Sequence, residues 1–157
     1  MRQAVNIIIV IFICCCFKVG IAQHSSPDTI NAKYINEKIS FDDKPSEAVW
    51  QVAQHIKNFT QRELHFGEPA SERTETAIVY DNNNLYIGVW CYMQNPAKTV
   101  AKFMSRDFDF ETDDVFGVLI SPFNDKRNGY LFIINPNAAR ADLQVSGDNE
   151  NLNWNGV

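Results

Sequence analysis

The stretch from Thr74 to Met93 constrains this chain most. TETAIVY (74–80) alternates, DNNN (81–84) is turn chemistry, and LYIGVWCYM (85–93) is a second extended run. Two such runs across a four-residue connection predict an antiparallel hairpin, because period-two patterning matches the pleat of a strand. In the second run Leu85, Ile87, Val89, Cys91 and Met93 share one face, and Tyr86, Gly88, Trp90 and Tyr92 share the other. The aliphatic face is the expected core. The aromatic face is then covered by another segment or open to a ligand. Cys91, on the aliphatic side, is expected to be buried and unreactive.

The remaining pattern is mostly of the same kind. Ile39 and Phe41 alternate with polar residues and predict a short strand. Asp42 to Pro45 form a turn, and Ser46 is placed to cap a short helix beginning at Glu47, with Trp50 facing inward as a core anchor. VFGVLI (115–120) is apolar on both faces and predicts a central strand. SPFNDKRNG (121–129) connects it to YLFIIN (130–135), Pro136 and Asn137 turn, and Ala141 to Val145 continue as a strand. SGDNENLN (146–153) reads as a loop leading to Trp154. One short helix near residues 46–53 among many short strands favours an all-β fold over βαβ units. The architecture expected is a jelly-roll-like β-sandwich of antiparallel strands.

The N-terminus predicts export. Arg2, an apolar run from Ile7 to Phe17, and Gly20 and Ala22 before Gln23 form a signal peptide over 1–22. A spanning helix needs about 20 apolar residues, and Lys18 interrupts this run too early. A lipoprotein would use Cys14, Cys15 or Cys16, but Cys14 follows Ile13 rather than a small residue. The destination is the periplasm, the outer membrane surface or the medium. With Arg2 and Lys18 removed, 12 basic residues face 19 acidic ones, a net charge of −7. Such a domain, with no basic run, is a poor match for nucleic acid. Cys91 is the one cysteine left after cleavage, so no internal disulfide forms. Residues 23–38 read as a flexible lead-in and 39–157 as the domain. NLNWNGV (151–157) starts what reads as a further strand, so the domain is expected to continue beyond Val157, with Trp154 packing only against that continuation.

ISFDDKPSEAVWQVA (39–53), FTQRELHFGEPASERTETAIVYDNNNLYIGVWCY (59–92) and RDFDFETDDVFGVLISPFNDKRNGYLFIINPNAARAD (106–142) together resemble the family 9 carbohydrate-binding module. The closest likeness is to the version that opens long exported bacterial proteins, and it is carried by the order and spacing of these segments. The resemblance implies a β-sandwich that binds sugars, often joined to glycoside-cleaving enzymes, with aromatic side chains clasping a terminal sugar and structural calcium supporting the fold. The chain departs from the pattern at Asp43, where glycine is usual, at Met93, where Asp is usual, and at Ser121, where an acidic residue is usual. The Met93 departure weakens any role of that strand end in holding a metal.

The two clasping aromatics of characterised modules have no numbered match here, so the sugar candidates follow from chemistry. A sugar site needs flat rings for the C–H faces of a pyranose and polar groups for its hydroxyls. Trp90, Tyr92, Phe123, Tyr130 and Trp154 offer rings, and Asn124, Asp125, Arg127 and Asn128 offer hydrogen bonds; core or scattered surface packing is the competing reading for each. The acidic cluster at 107–114 leaves three readings open. Asp107, Asp109, Asp113 and Asp114 are hard oxygen ligands suited to calcium, though without helix–loop–helix spacing; the cluster otherwise holds a catalytic carboxylate pair or is a solvated loop. His24, His55 and His65 share no ligand spacing, and no nucleophile triad or phosphate loop is present. The function expected is a secreted carbohydrate-binding domain of a larger exported protein in polysaccharide catabolism. Its partners would be a polysaccharide or oligosaccharide and a downstream domain of the same protein. The rivals are the non-catalytic lead of a glycoside-cleaving hydrolase and a structural sandwich without sugar binding.

Overall fold

A computed structural model describes residues 29–42 and 44–156. The expected signal peptide, with Cys14, Cys15, Cys16 and the expected cut before Gln23, lies outside the described residues, as does Asp43. The described residues are all-β, with two mainly antiparallel four-stranded sheets among them, the two-sheet composition of the expected β-sandwich. It divides between Tyr92 and Met93 into two compact units, each holding one sheet.

The first unit contains β1 (Lys33–Tyr34), α1 (Ala48–Val52), β2 (His55–Ile56), β3 (Thr74–Tyr80) and β4 (Leu85–Cys91). The expected hairpin is β3–β4, in register from Thr74↔Cys91 to Tyr80↔Leu85. Its turn closes because Asp81 Oδ1 accepts hydrogen bonds from the Asn83 and Asn84 amides, both at 2.7 Å, and the Tyr86 hydroxyl donates to Oδ2 at 2.9 Å. With β4 along one edge of β3, the other edge is shared. β1 pairs there in parallel at Val79 and Tyr80, and β2 antiparallel at Thr76 and Ala77. Lys33 and Tyr34, placed in the lead-in by the sequence pattern, thus join the sheet, and Ile35 enters the core.

The face assignment of the hairpin is reversed. Trp50 is buried, at 3 % exposure, in a core with Ile35, Val49, Ala53, Ala77 and Val79, and Tyr86 and Trp90 pack against it. Leu85, Cys91 and Met93 are exposed. The cause is Gly88, on the aromatic face of β4. A Cβ there would stand 2.8 Å from the Trp50 ring, so the gap that only glycine leaves decides which face receives the tryptophan.

The helix begins differently from expectation. Glu47 occupies the N-cap position without a side-chain cap, and Ser46 does not fill it. The Glu47 carboxylate instead accepts from the Ser40 amide at 2.6 Å and from Trp50 Nε1 at 2.9 Å. Residues 39–41 form no strand, since the Ser40 amide is bound to a side chain rather than a neighbouring ladder. Ile39 packs on the core and Phe41 is exposed.

The second unit is a meander in the order β5 (Phe116–Ile120), β6 (Asn128–Ile134), β7 (Arg140–Ser146), β8 (Asn149–Asn151), preceded by 3-10 turns at Pro96–Lys98 and Phe110–Thr112. Phe108, Ile133, Ala139, Ala141 and Leu143 form its core. β5 is an edge strand among the described residues, not a central one. Leu119 is 59 % exposed on it, so an apolar two-faced sequence did not secure a second neighbour. β8 arises inside the expected 146–153 loop. Trp154 stacks on Tyr130 with ring centroids 4.6 Å apart and meets Phe132 edge-on at 6.1 Å. It therefore packs on β6, rather than only against a continuation of the domain as expected.

Candidate functional site

The polar residue most out of place in the first core is Glu75. It lies on the β3 face that carries Ala77 and Val79 and is 4 % exposed. A buried carboxylate is costly unless it is paired and hydrogen-bonded. Glu75 has three partners: Arg73 Nη2 donates to Oε1, Lys57 Nζ lies 3.2 Å from Oε2, and His55 Nδ1 lies 3.0 Å from the same oxygen. Burial alone would push its acidity down, but the bonds from Arg73, Lys57 and His55 prevail and hold the Glu75 pKa at about 2. Short β2 brings His55 opposite Ala77, and its other ring nitrogen, Nε2, lies 2.8 Å from the Trp50 carbonyl.

Beside this carboxylate opens a cleft of about 230 Å³ lined by Pro45, Trp50, Gln51, His55, Glu75, Trp90 and Tyr92. Trp90 stands edge-on to Trp50, with centroids 5.9 Å apart, and its ring stacks with His55 at 5.0 Å. Tyr92 is 44 % exposed and carries the Arg73 guanidinium 4.5 Å from its ring centroid. Flat rings and an ionised carboxylate thus meet at one concave surface, with the cations Arg73 and Lys57 bonded to that carboxylate from beside the lining, a combination that suits a small polar ligand. The structure brings the expected sugar candidates Trp90 and Tyr92 together here. Sequence reasoning missed Glu75, Arg73 and His55. The signal available was a charged residue at a core-facing position of an alternating strand.

The other sugar candidates lie in the second unit and do not converge. Phe123 is 65 % exposed in the β5–β6 loop, next to Asn124, whose φ is 51°. Arg127 and Asn128 line a polar cavity of about 440 Å³ with residues 146–149. Asp125 is taken up within its own loop. Its carboxylate accepts from the Asn128 side chain and from the Asn128 and Arg127 amides, which holds its pKa at about 2. Tyr130 and Trp154 cover one another's rings.

The acidic cluster is dispersed. Asp113 accepts from the Lys102 amide at 2.9 Å and from Asn135 Nδ2 at 2.8 Å. Although desolvation opposes it, these bonds lower the Asp113 pKa. Asp114 accepts from the Val100 amide at 2.9 Å, and Asp109 from the Glu111 amide at 3.2 Å. Asp107 pairs with Arg106 at 3.4 Å. Asp107 and Asp109 line an acidic groove of about 420 Å³ with Phe108 and Phe110, while Asp113 and Asp114 do not line it. Among the described residues no three acidic, histidine or cysteine side chains converge as a metal-ligand group. As placed, Asp109, Asp113 and Asp114 accept from loop amides, and Asp107 pairs with Arg106.

No known protein family, curated protein or solved structure matches the chain.

Proposed function

We propose that this chain is a carbohydrate-binding domain of an exported protein and that the Trp90–Tyr92 cleft holds the sugar. The observation that carries the reading is the convergence, at one small opening, of two partly exposed aromatic side chains with the ion-paired carboxylate of Glu75. The ring edges and faces suit the C–H surface of a pyranose, and Gln51, His55 and the Arg73 fork suit its hydroxyls. The cleft is smaller than the roughly 300–1,000 Å³ typical of drug-sized sites, which suits one sugar ring rather than a long chain segment. The resemblance to family 9 modules and the leader at 1–22 point the same way, toward a domain that anchors an exported protein on polysaccharide while chemistry resides elsewhere.

A glycan array probed with the exported protein tests this. Retention on a defined set of glycans, lost in a folded Trp90→Ala variant, is the expected result. A folded wild-type protein that retains no glycan would refute the reading. Mass spectrometry of exported material is expected to find Gln23 first, and an intact Met1 would contradict export by cleavage.

A further inference from the structure

The ring walls of the Trp90–Tyr92 cleft are not bare. Arg73 covers one face of Tyr92 at 4.5 Å, and His55 covers one face of Trp90 at 5.0 Å. A pyranose, neutral or charged, finds those two faces occupied and meets the remaining ring surface, so the polar groups beside the rings decide between sugars. The one carboxylate in the lining, Glu75, already holds three donors, which use three of its roughly four acceptor positions. Glu47, the other carboxylate touching a lining residue, is spent on the Ser40 amide and Trp50 Nε1.

The cations are less committed. Arg73 carries five N–H donors and Lys57 three, their side chains are 60 % and 53 % exposed, and each is placed by its bond to Glu75. Arg73 and Lys57 stand just outside the lining, bonded to Glu75 within it, and their two charges are balanced by Glu75 and Glu47, so what they offer a ligand is unused charged N–H donors rather than a net positive field. The Arg73 guanidinium, 4.5 Å from the Tyr92 ring centroid, also carries the fork that suits a planar two-oxygen acceptor.

Resting on the sugar-site reading of the cleft, we infer that it selects an anionic sugar, a residue bearing a carboxylate or a sulfate ester whose charged group sits on Arg73 and Lys57 while its ring meets Trp90. Glu75 then acts as a positioning residue for the two cations.

Calorimetric titration of the exported full-length chain tests this with three oligosaccharides of one linkage: a neutral one, its uronate counterpart and its sulfated counterpart. An anionic member is expected to bind about tenfold or more tightly than the neutral one, the effect of one charge-assisted hydrogen bond. The uronate and sulfate arms distinguish the two sources of charge. The preference should shrink as salt rises from about 0.1 to about 1 M, where the screening length falls from roughly 10 to 3 Å. The ratio of anionic to neutral affinity should approach one in Arg73→Gln and be partly kept in Arg73→Lys. Should Arg73→Gln fail to fold, Lys57→Gln carries the same comparison from a half-exposed side chain. Equal affinity for the neutral and anionic sugars overturns this inference and leaves the sugar site standing. No binding of any saccharide by folded protein overturns the sugar site, and the inference with it.

Discussion

Glu75 and Asp142 make an instructive pair. Each sits on a strand flanked on both edges, β3 in the first unit and β7 in the second, each is almost fully buried, and each is bonded by an arginine. They differ in what completes their environment. Asp142 lines the acidic groove, but its arginine is less accessible: the Arg106 side chain, 31 % exposed, donates to Oδ1 and also reaches Asn155 at 2.9 Å, and the Gly156 amide donates to Oδ2 at 2.6 Å. Glu75 is bonded by side chains that are themselves more than half exposed, Lys57 and Arg73, at the edge of an open aromatic cleft. A buried ion pair therefore does not mark a site by itself. The mark is a buried charge whose partners remain accessible.

The two units also differ in how much one side chain carries, and the largest predicted effect tests that. Trp50→Ala empties the centre of the first core and should cost about 3–5 kcal/mol in denaturant melts. A loss under about 1 kcal/mol would mean that Gly88 and Trp50 do not organise this sheet. Gly88→Ala attacks the same contact from the other side. Its new methyl would stand 2.8 Å from the indole, and overpacking of this kind costs about 1–3 kcal/mol. Unchanged stability in Gly88→Ala would show that the ring shifts freely.

Asp142→Asn sharpens the comparison of carboxylates. It leaves Arg106 without its buried counter-charge and should cost about 1–3 kcal/mol, the penalty for breaking a buried polar pair. It should leave glycan binding intact, whereas Glu75→Gln should weaken it. Equal effects of the two variants on binding would erase the distinction between them.

Much of the fold could be read from the residues, and its limits have physical causes. The β3–β4 hairpin was legible because alternation and the DNNN turn are local signals, and the Asp81 side chain closes that turn within a few residues. The strands at 130–135 and 141–145 were legible for the same reason. Which hairpin face turns inward was not, because it depends on a tryptophan 38 positions before Gly88. β5 read as central because its residues are apolar on both sides, yet pairing, not polarity, sets the order of strands. Trp90 and Tyr92 were legible as ring donors. Their companions Arg73, His55 and Glu75 were not, since each looks like ordinary strand-end polarity until β2 and β3 bring them together. The packing of Trp154 was not legible either, because its stacking partner, Tyr130, is supplied by β6 and not by residues further along the chain.

The carboxylates also predict a pH dependence. Glu75 and Asp125 both have folded pKa values near 2, below ordinary values of 4.5 and 3.8. A group depressed in the folded state contributes stability that is fully present above its unfolded pKa and is lost as pH falls through its folded pKa. Stability should therefore decline as pH drops from about 4.5 toward 2, with the exposed Asp125 contributing the lesser part because solvent screens it. Melting curves at stepped pH should show a shallower decline in Glu75→Gln than in wild type. An unchanged slope in that variant would assign the acid sensitivity to the other depressed carboxylates, Glu47, Asp81, Asp113 and Asp125.

The smallest effect should come from Cys91→Ser, and it bears on the reversed hairpin face. If the aliphatic side of β4 were the core, a hydroxyl at position 91 would be buried polarity and would cost about 1–3 kcal/mol. In this fold Cys91 is the exposed last residue of β4, paired with Thr74. Surface substitutions away from caps, cavities and buried networks usually change stability by no more than about 0.5 kcal/mol. The thiol is also a poor nucleophile. Partial desolvation raises its pKa and a bond with Thr74 only partly offsets the rise, so the thiolate fraction at neutral pH is small. Cys91→Ser should thus melt within about 0.5 kcal/mol of wild type, and wild type should react with a thiol probe more slowly than a free cysteine does, despite its exposure. A loss above about 1 kcal/mol would place this face inward and return Trp90 and Tyr92 to the outside of the sheet.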